Sequence, residues 1–426
     1  MKTAYDGKEA LSRVKVVERD LADQVKLQLP LPVAGLMVDL QEEVERFGWE
    51  CGRRLIEACI ESEAERIAGP RYEHDPERNA YRGGKTSGWA YYGGSKAAIK
   101  RQRVRGEGGE VALESVRAFQ QDGKMQRAVA AKVLAGVKMR RYEGCMDAVC
   151  EGYGIKKSSV SRHWVKASAK ALQELAERRL DDLALAVILI DGVRFREVCA
   201  VVALGVDYKG YKHVLGLYAG ATENGATCQG LLDDLIRRGL DAKGKYLFVI
   251  DGSKALRSAI RKTFGEEAPV QRCQVHKKRN VKEHLPKSYH RALSLRLTAA
   301  YGMREYADAR AELEKTVKWL EGISASAADS LREGLEETLT LHRLGVPAVL
   351  RVSLSSTNLI EGCFSTTRGT TRRVKRWRGD DQVVRWAGAV LLDAESRFHR
   401  VRGYAAMSVL LNCLGLKAVD SVSSVA

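Results

Sequence analysis

No stretch of this sequence is long and apolar enough to span a bilayer. The longest apolar run, LALAVILI at Leu183–Ile190, has eight residues, against the roughly 18 a spanning helix needs. Proline is scarce, at seven in 426 residues, which argues against long disordered linkers. The nine cysteines are an odd number and fall singly, the pattern of reduced thiols and not of a disulfide framework. The first twenty residues, MKTAYDGKEALSRVKVVERD, carry charges throughout and have no apolar signal core. These absences predict a cytoplasmic chain. Acidic residues are in deficit too: 54 Asp and Glu against 71 Lys and Arg leave a net charge of +17. A protein this basic calls for a polyanionic partner, most simply nucleic acid; an acidic small substrate or an acidic membrane surface are the alternatives. The length predicts two or three domains.

What is present divides into regions of different texture. Leu36–Ile67 has the apolar spacing of a helix. Tyr81–Arg105, YRGGKTSGWAYYGGSKAAIKRQRVR, contains no carboxylate. Its glycine pairs, Gly83–Gly84 and Gly93–Gly94, read as turns between short strands. A basic β-ribbon over about 81–120, with Trp89, Tyr91 and Tyr92, suits a DNA backbone or equally a solvated hairpin. Tyr142–Ala171 reads as a helix, a turn at Gly152 and Gly154, and a second helix capped by Ser158 or Ser159. This is the helix-turn-helix pattern, a spacing shared by many helical hairpins that do not touch DNA. Ser159, Ser161, Arg162, His163 and Lys166 are expected to project from its second helix toward phosphates and bases.

Residues 183–285 are α/β. Strands are expected at Leu183–Ile190, Val198–Val206, His213–Ala219, Tyr246–Ile250 and Val270–Val275, and helices at Cys228–Arg238 and Ala255–Phe264. Three strands joined by short turns make an antiparallel meander; a fourth after a helix joins in parallel by a crossover. That order predicts a ribonuclease-H-like core. Residues 286–350 read as helical, with a weak break at Gly322–Ser326. One helix begins near Asn358, another covers Gln382–His399, and 416–426 form a tail.

Two of the strands run into Asp-Gly: VILIDG, with Asp191, and LFVIDG, with Asp251. With the first strand central and the fourth beside it, Asp191 and Asp251 sit side by side at strand ends. Paired carboxylates repel unless a cation lies between them, and oxygen donors suit Mg²⁺. Two such metals can carry phosphoryl transfer. The alternative is that Asp-Gly merely marks a hairpin turn. A third carboxylate, Glu361 in LSSTNLIEGCFSTTRGTTRRVKRWR, precedes Arg368, Arg372, Arg373, Lys375, Arg376 and Arg378. It either reaches the metals, its helix holding phosphates, or caps that helix with Asn358.

Four motifs in order, ILIDGVRFRE, FVIDGSKALRSAI, QRCQVHKKRNV and SSTNLIEGCFSTTRGTTRRVKRW, resemble the Mutator-type transposases of bacterial insertion sequences, members of the DDE superfamily. SSVSRHW upstream is similar as well, and the resemblance covers roughly residues 80–400. It implies a ribonuclease-H-like catalytic core in two parts, 183–285 and 351–415, around an all-helical insertion at 286–350, behind a DNA-binding region at 1–180. It implies that Asp191, Asp251 and Glu361 are the catalytic and metal-binding triad, served by Mg²⁺ with Mn²⁺ as a substitute. Cys273 and His276 match the family's C-x-x-H, and Trp319 resembles a tryptophan that related transposases place near the scissile DNA. Zinc is not expected at Cys273 and His276, because zinc takes four ligands and no second pair lies at suitable spacing. A supporting role near the catalytic strand is expected instead, with Lys277, Lys278 and Arg279 meeting phosphate. The implied activity is cleavage and joining of double-stranded DNA at terminal inverted repeats and target sites, by a homodimer or higher oligomer in the bacterial nucleoid. A fold-related nuclease that cuts without joining, or a non-catalytic repressor derived from a transposase, are the rival readings.

Overall fold

The computed structural model describes residues 15–19, 25–28, 40–139 and 157–416, apart from 74, 76–77, 93–94, 196–197, 221–223, 373, 375–376 and 378. The chain forms two compact units, Met1–Ala167 and Ser168–Ala426. Among the described residues no helix is long and apolar enough to cross a membrane.

In the first unit a small antiparallel pair, β1 (Lys15–Arg19) and β2 (Val25–Gln28), precedes the long helix α1 (Leu40–Ala68). A three-stranded antiparallel sheet follows: β3 (Ala80–Tyr92), β4 (Ser95–Gly106) and β5 (Gly109–Val111). Ile56, Ile60 and Ala64 of α1 form one core with Ala90, Ile99 and Val104 of the sheet. The Gly83–Gly84 pair is not a turn. It sits inside one thirteen-residue strand, at a register shift between Arg82 and Lys85, with Gly84 at φ +81°. An extra residue in one strand of a pair bulges it, and glycine accepts the positive φ. Residues 93 and 94 lie outside the described set. Two helices, α2 (Glu114–Phe119) and α3 (Asp122–Leu134), complete the described part of this region. Leu113 offers α2 no side-chain cap, and the Glu63 carboxylate of α1 takes the backbone N–H groups of Glu114 and Ser115 instead, each at 2.8 Å. Helix α4 (Lys157–Glu177) then begins one residue before Ser158, so Ser158 and Ser159 lie within the helix and do not cap it. The first helix expected of the helix-turn-helix lies outside the described residues.

The second unit is built on a five-stranded mixed sheet of β6 (Leu185–Phe195), β7 (Val198–Asp207), β8 (Lys212–Gly220), β9 (Leu247–Ile250) and β10 (Val270–Arg272). Its spatial order is β10-β9-β6-β7-β8, with β6, β7 and β8 antiparallel and β6, β9 and β10 parallel. Both faces are covered, so β6 is apolar without alternation. Leu185, Ile188 and Ile190 pack with Leu231 and Leu235 of α5 (Gly225–Arg237) and Leu256 and Ile260 of α6 (Lys254–Phe264). Val187, Leu189 and Val193 face the other layer. That layer includes Leu350 and Leu354 of α13 (Ala348–Leu354), Phe364 of α14 (Asn358–Thr371) and Leu391 of α15 (Asp380–Glu395). Met407, Leu410 and Leu411 of α16 (Met407–Cys413) close it.

After β10 come α7 (Gln274–Glu283) and a helical block with a core of its own: α8 (His290–Gly302), α9 (Tyr306–Glu321), α10 (Ala325–Arg332), α11 (Leu335–Thr338) and α12 (Thr340–Arg343). Leu293, Leu297, Leu313, Leu320 and Leu331 fill that core. The weak break expected at Gly322–Ser326 is the α9–α10 corner, where Ser324 caps α10 by accepting the Ala327 N–H.

Candidate active site

Parallel pairing between β6 and β9 ends at Ile190 opposite Ile250, so the next residues, Asp191 and Asp251, leave neighbouring strands at the same level. Adjacent strands lie about 4.8 Å apart, which sets the two carboxylates beside each other. Asp191 is not at a strand end, however. The β6–β7 ladder continues through Asp191 opposite Val202 and Gly192 opposite Val201 to Phe195. Asp191–Gly192 is therefore extended strand and not a hairpin turn; only the β9 partner stops there. Asp251 does begin a turn. Gly252 at φ +107° redirects the chain, the Ser253 N–H donates to Asp251 Oδ1 at 2.8 Å, and Ser253 caps α6.

On the other side of β9, β10 ends at Arg272 and the expected strand to Val275 turns helical after Cys273. Cys273 is the N-cap of α7. Its buried Sγ accepts from the backbone N–H groups of His276 and Thr357, each at 3.4 Å. Thr357, fully buried just before α14, links the cluster. Its Oγ1 donates to Glu361 Oε1 at 3.0 Å and lies 3.3 Å from His276 Nδ1. His276 Nε2 lies 3.8 Å from Glu361 Oε1. Glu361 does not cap its helix: Asn358 is already the first helical residue, and the cap position, Thr357, makes no side-chain cap bond. Sequence reading missed Thr357, whose only signal was a hydroxyl run, Ser355-Ser356-Thr357, ahead of Asn358.

The electrostatics of this cluster are strained. Burial, with Asp191 only 6% exposed, and then the charge of Asp251 raise the Asp191 carboxyl from 3.8 to about 7. The charge of Glu361 adds to the rise, while His276 opposes it. The hydrogen bond with Cys273 is the largest influence raising His276 to about 9; the Cys273 charge and the carboxylates Asp191 and Glu361 help, and burial works against them. Burial pushes the Cys273 thiol up, but bonds from His276 and Thr357 outweigh it and hold it below the usual thiol range. His276 is thus a cation at neutral pH beside crowded carboxylates. Burial contributes most to the proton affinity of Asp191 and the neighbouring carboxylate charge comes second, and an oxygen-only donor set suits a hard divalent cation. Asp191, Asp251 and Glu361 fit such an ion chemically. Among the described residues, no three His, Cys, Asp or Glu side chains already close on a single point.

The remaining expected residues fall differently. Arg162 and Lys166 are exposed on α4. His163 is not: it is 7% exposed with Tyr91 edge-on to its ring at 5.8 Å, because helical periodicity turns it inward, and it does not face a ligand. Lys277 is also corrected. It is fully buried, and its Nζ donates to the carbonyls of Ser330, at 2.6 Å, and Glu333. This is a structural bond to the end of α10 and not a phosphate contact. Burial lowers Lys277 to about 8. Lys278 is half-buried and reaches Thr298 Oγ1 at 3.3 Å. Trp319 packs on the core of the helical block, with Tyr289 edge-on and the Arg296 guanidinium 4.7 Å over its ring. Arg368 and Arg372 are exposed at the end of α14; Arg373, Lys375, Arg376 and Arg378 lie outside the described residues.

The model of one transposase family, the Mutator family, matches residues 41–401 of this sequence. The chain belongs to the Mutator transposase family. The resemblance carried by the four motifs is thereby established over most of the chain. Among individual relatives, the transposase for insertion sequence element ISRM5 of Rhizobium meliloti is 26% identical over 372 residues, 84% of this chain and 90% of that protein. The transposase for element IST2 of Acidithiobacillus ferrooxidans is 27% identical over 53% of this chain and 74% of its own length. The transposase for element IS256 in transposon Tn4001 of Staphylococcus aureus is 26% identical over 65% and 72%.

Proposed function

We propose that this chain is the transposase of an insertion sequence, a DDE-type enzyme that cuts DNA at the ends of its own element and joins the freed 3′ ends to target DNA. The observation that carries this reading is the emergence of Asp191 and Asp251 from adjacent parallel strands, with Glu361 and His276 close enough for their charges to act on Asp191. The sheet order β10-β9-β6-β7-β8, with one antiparallel meander and two parallel crossovers, supports a ribonuclease-H-like core. The separately cored helices α8–α12, lying between Asp251 and Glu361, support the helical-insertion assignment.

Asp191, Asp251 and Glu361 would hold the divalent cation, Mg²⁺ or Mn²⁺. The chemistry supplied at these residues by a bound cation would be polarisation of the scissile phosphate and a lowered proton affinity of the attacking oxygen. The chain's own contribution is positioning and charge. Gly192 N–H and Ser253 N–H fix the two aspartates through bonds of 2.8 Å each. Thr357 orients Glu361, and cationic His276 offsets the repulsion of the carboxylates. Exposed Arg162 and Lys166 on α4, the second helix of the proposed helix-turn-helix, and Arg368 and Arg372 on α14 would take DNA phosphates, with Arg373, Lys375, Arg376 and Arg378 continuing the last series. Two element ends must be handled together, which calls for at least a dimer.

The test is a supercoiled plasmid carrying the gene with its own flanking DNA, incubated with the full chain and Mg²⁺. Nicks at the element ends together with joined products are expected. Cutting without joining contradicts the transposase reading in favour of a nuclease. Binding without metal-dependent cutting contradicts it in favour of a DNA-binding repressor.

A further inference from the structure

Helix α6 begins three residues after Asp251 and has a one-sided composition. Its sequence, KALRSAIRKTF, contains Lys254, Arg257, Arg261 and Lys262 and no acid. Leu256, Ala259 and Ile260 are its buried positions, so the cations occupy the opposite side. That side forms one wall of an open groove of about 540 Å³, and Ile250 and Gly252, flanking Asp251, line the same groove. The facing wall carries Glu333 and Glu337 from the end of α10 and from α11. Lys254 Nζ is 3.9 Å from Glu333, Arg257 is paired with Glu337, and Arg272 Nη2 is 3.1 Å from Glu333.

The acids do not balance this groove. Five cations, Lys254, Arg257, Arg261, Lys262 and Arg272, face three acids, Glu266, Glu333 and Glu337. The Nε atoms of Arg257 and Arg272 are buried without a hydrogen-bond partner, and the Arg272 side chain is only 6% exposed. A buried donor left unmade is costly, so each guanidinium keeps one unmet donor beside the bonds it does make, Arg272 to the carbonyl and carboxylate of Glu333 and Arg257 to Glu337. The geometry selects the kind of anion. From Lys254 to Arg261 is two helical turns, about 10.5 Å, and a DNA strand places one charge per about 3.4 Å of axis. The cation series is therefore long enough to meet more than one phosphate of a strand, where a single small anion would meet only one end of it.

We propose that this groove holds the sugar-phosphate backbone of the DNA strand on one side of the bond being cut, delivering it past Gly252 to Asp251, and that Glu333 and Glu337 occupy its cations until DNA displaces them. This rests on the reading of Asp251 as a catalytic carboxylate. The groove is then both a substrate track and an electrostatic latch between α6 and the helical block.

The test uses the full chain and a 30-bp duplex from the gene's own flanking end, with binding followed by fluorescence anisotropy. Lysine acetylation is read by mass spectrometry with and without the duplex. Lys254, whose side chain is 90% exposed, and exposed Lys262 are expected to be protected several-fold by the duplex and left reactive by 20 mM inorganic phosphate. Glu337→Gln should bind the duplex a few-fold tighter. A Lys254→Gln, Lys262→Gln double variant should flatten the plot of log affinity against log salt by roughly two. Both lysines staying equally reactive while the duplex is bound overturns the groove. So does equal protection by inorganic phosphate, which would mean a small-anion site. Either result leaves the transposase reading standing, because plasmid cutting is scored separately. A chain with no affinity for DNA overturns both.

Discussion

Replacing Asp191 with Asn should make the metal-free protein more stable while abolishing the DNA cutting proposed for it. The magnitude follows from the site. A rise of the carboxyl from 3.8 to about 7 corresponds to about 4 kcal/mol between the charged and neutral forms. The sign is that of an acid whose folded-state value is raised. Its stabilising effect is complete below about pH 4, where the carboxyl is protonated in both states, and is lost as the pH rises from about 4 to about 7. An Asn side chain has the same shape and no such loss. The variant should match the wild type near pH 4 and exceed it by up to about 4 kcal/mol at pH 8, on the order of 10 °C in the melting midpoint of the unit Ser168–Ala426. The assay is thermal unfolding from pH 4 to pH 8 in EDTA and again in Mg²⁺. Mg²⁺ should narrow the gap at pH 8 by stabilising the wild type alone, since a ligand that binds only the folded state raises its stability. An Asn variant that melts at or below the wild type at pH 8 in EDTA would refute the idea that repelling, buried carboxylates are held together here.

Thr357→Val removes the hydroxyl shared by Glu361, His276 and Cys273. It should slow plasmid nicking about tenfold, the kinetic equivalent of one hydrogen bond, with Thr357→Ser recovering most of the rate. Lys277→Ala should lower stability by about 1–3 kcal/mol, since the Ser330 carbonyl loses its buried partner while the Glu333 carbonyl keeps the bond from Arg272 Nη1. It should leave the salt dependence of DNA affinity unchanged; a flattened dependence would restore Lys277 as a phosphate contact. Phe364→Ala, which empties a buried site in the layer under the sheet, should cost about 3–5 kcal/mol by chemical denaturation. The pair Arg368→Gln, Arg372→Gln should weaken binding to every DNA sequence alike and flatten its salt dependence by roughly two; an unchanged slope would mean that these arginines are only a solvated face.

The five strands and the adjacency of Asp191 and Asp251 were legible in the sequence because continuous apolar runs separated by short turns or amphipathic helices are a strong signal. The parallel crossover follows from the intervening helix. What was not legible depends on partners distant along the chain. That β6 continues past Asp191 depends on β7, whose ladder persists where β9 stops. That Gly83–Gly84 bulges a strand and does not end one depends on the pairing partner Gln102–Val104. His163 and Lys277 look like surface cations in a basic motif, yet helix phase turns one against Tyr91 and the other against the carbonyl end of α10. Thr357 carries no motif value alone. It matters because α14 starts beside Cys273 and His276, which precede it by some eighty residues.

The most direct test of the central claim measures end-cleavage by the wild type beside Asp191→Asn, Asp251→Asn and Glu361→Gln, with DNA affinity followed in parallel. If these three carboxylates hold the cation that cuts DNA, each variant loses Mg²⁺-dependent nicking by at least a thousandfold, the scale expected for removing a principal electrostatic stabiliser of the transition state, while its DNA affinity in EDTA is equal to or above that of the wild type. Nicking retained by any one of the three would contradict the account at that residue, and retention by Asp251→Asn would dismantle the site as a whole.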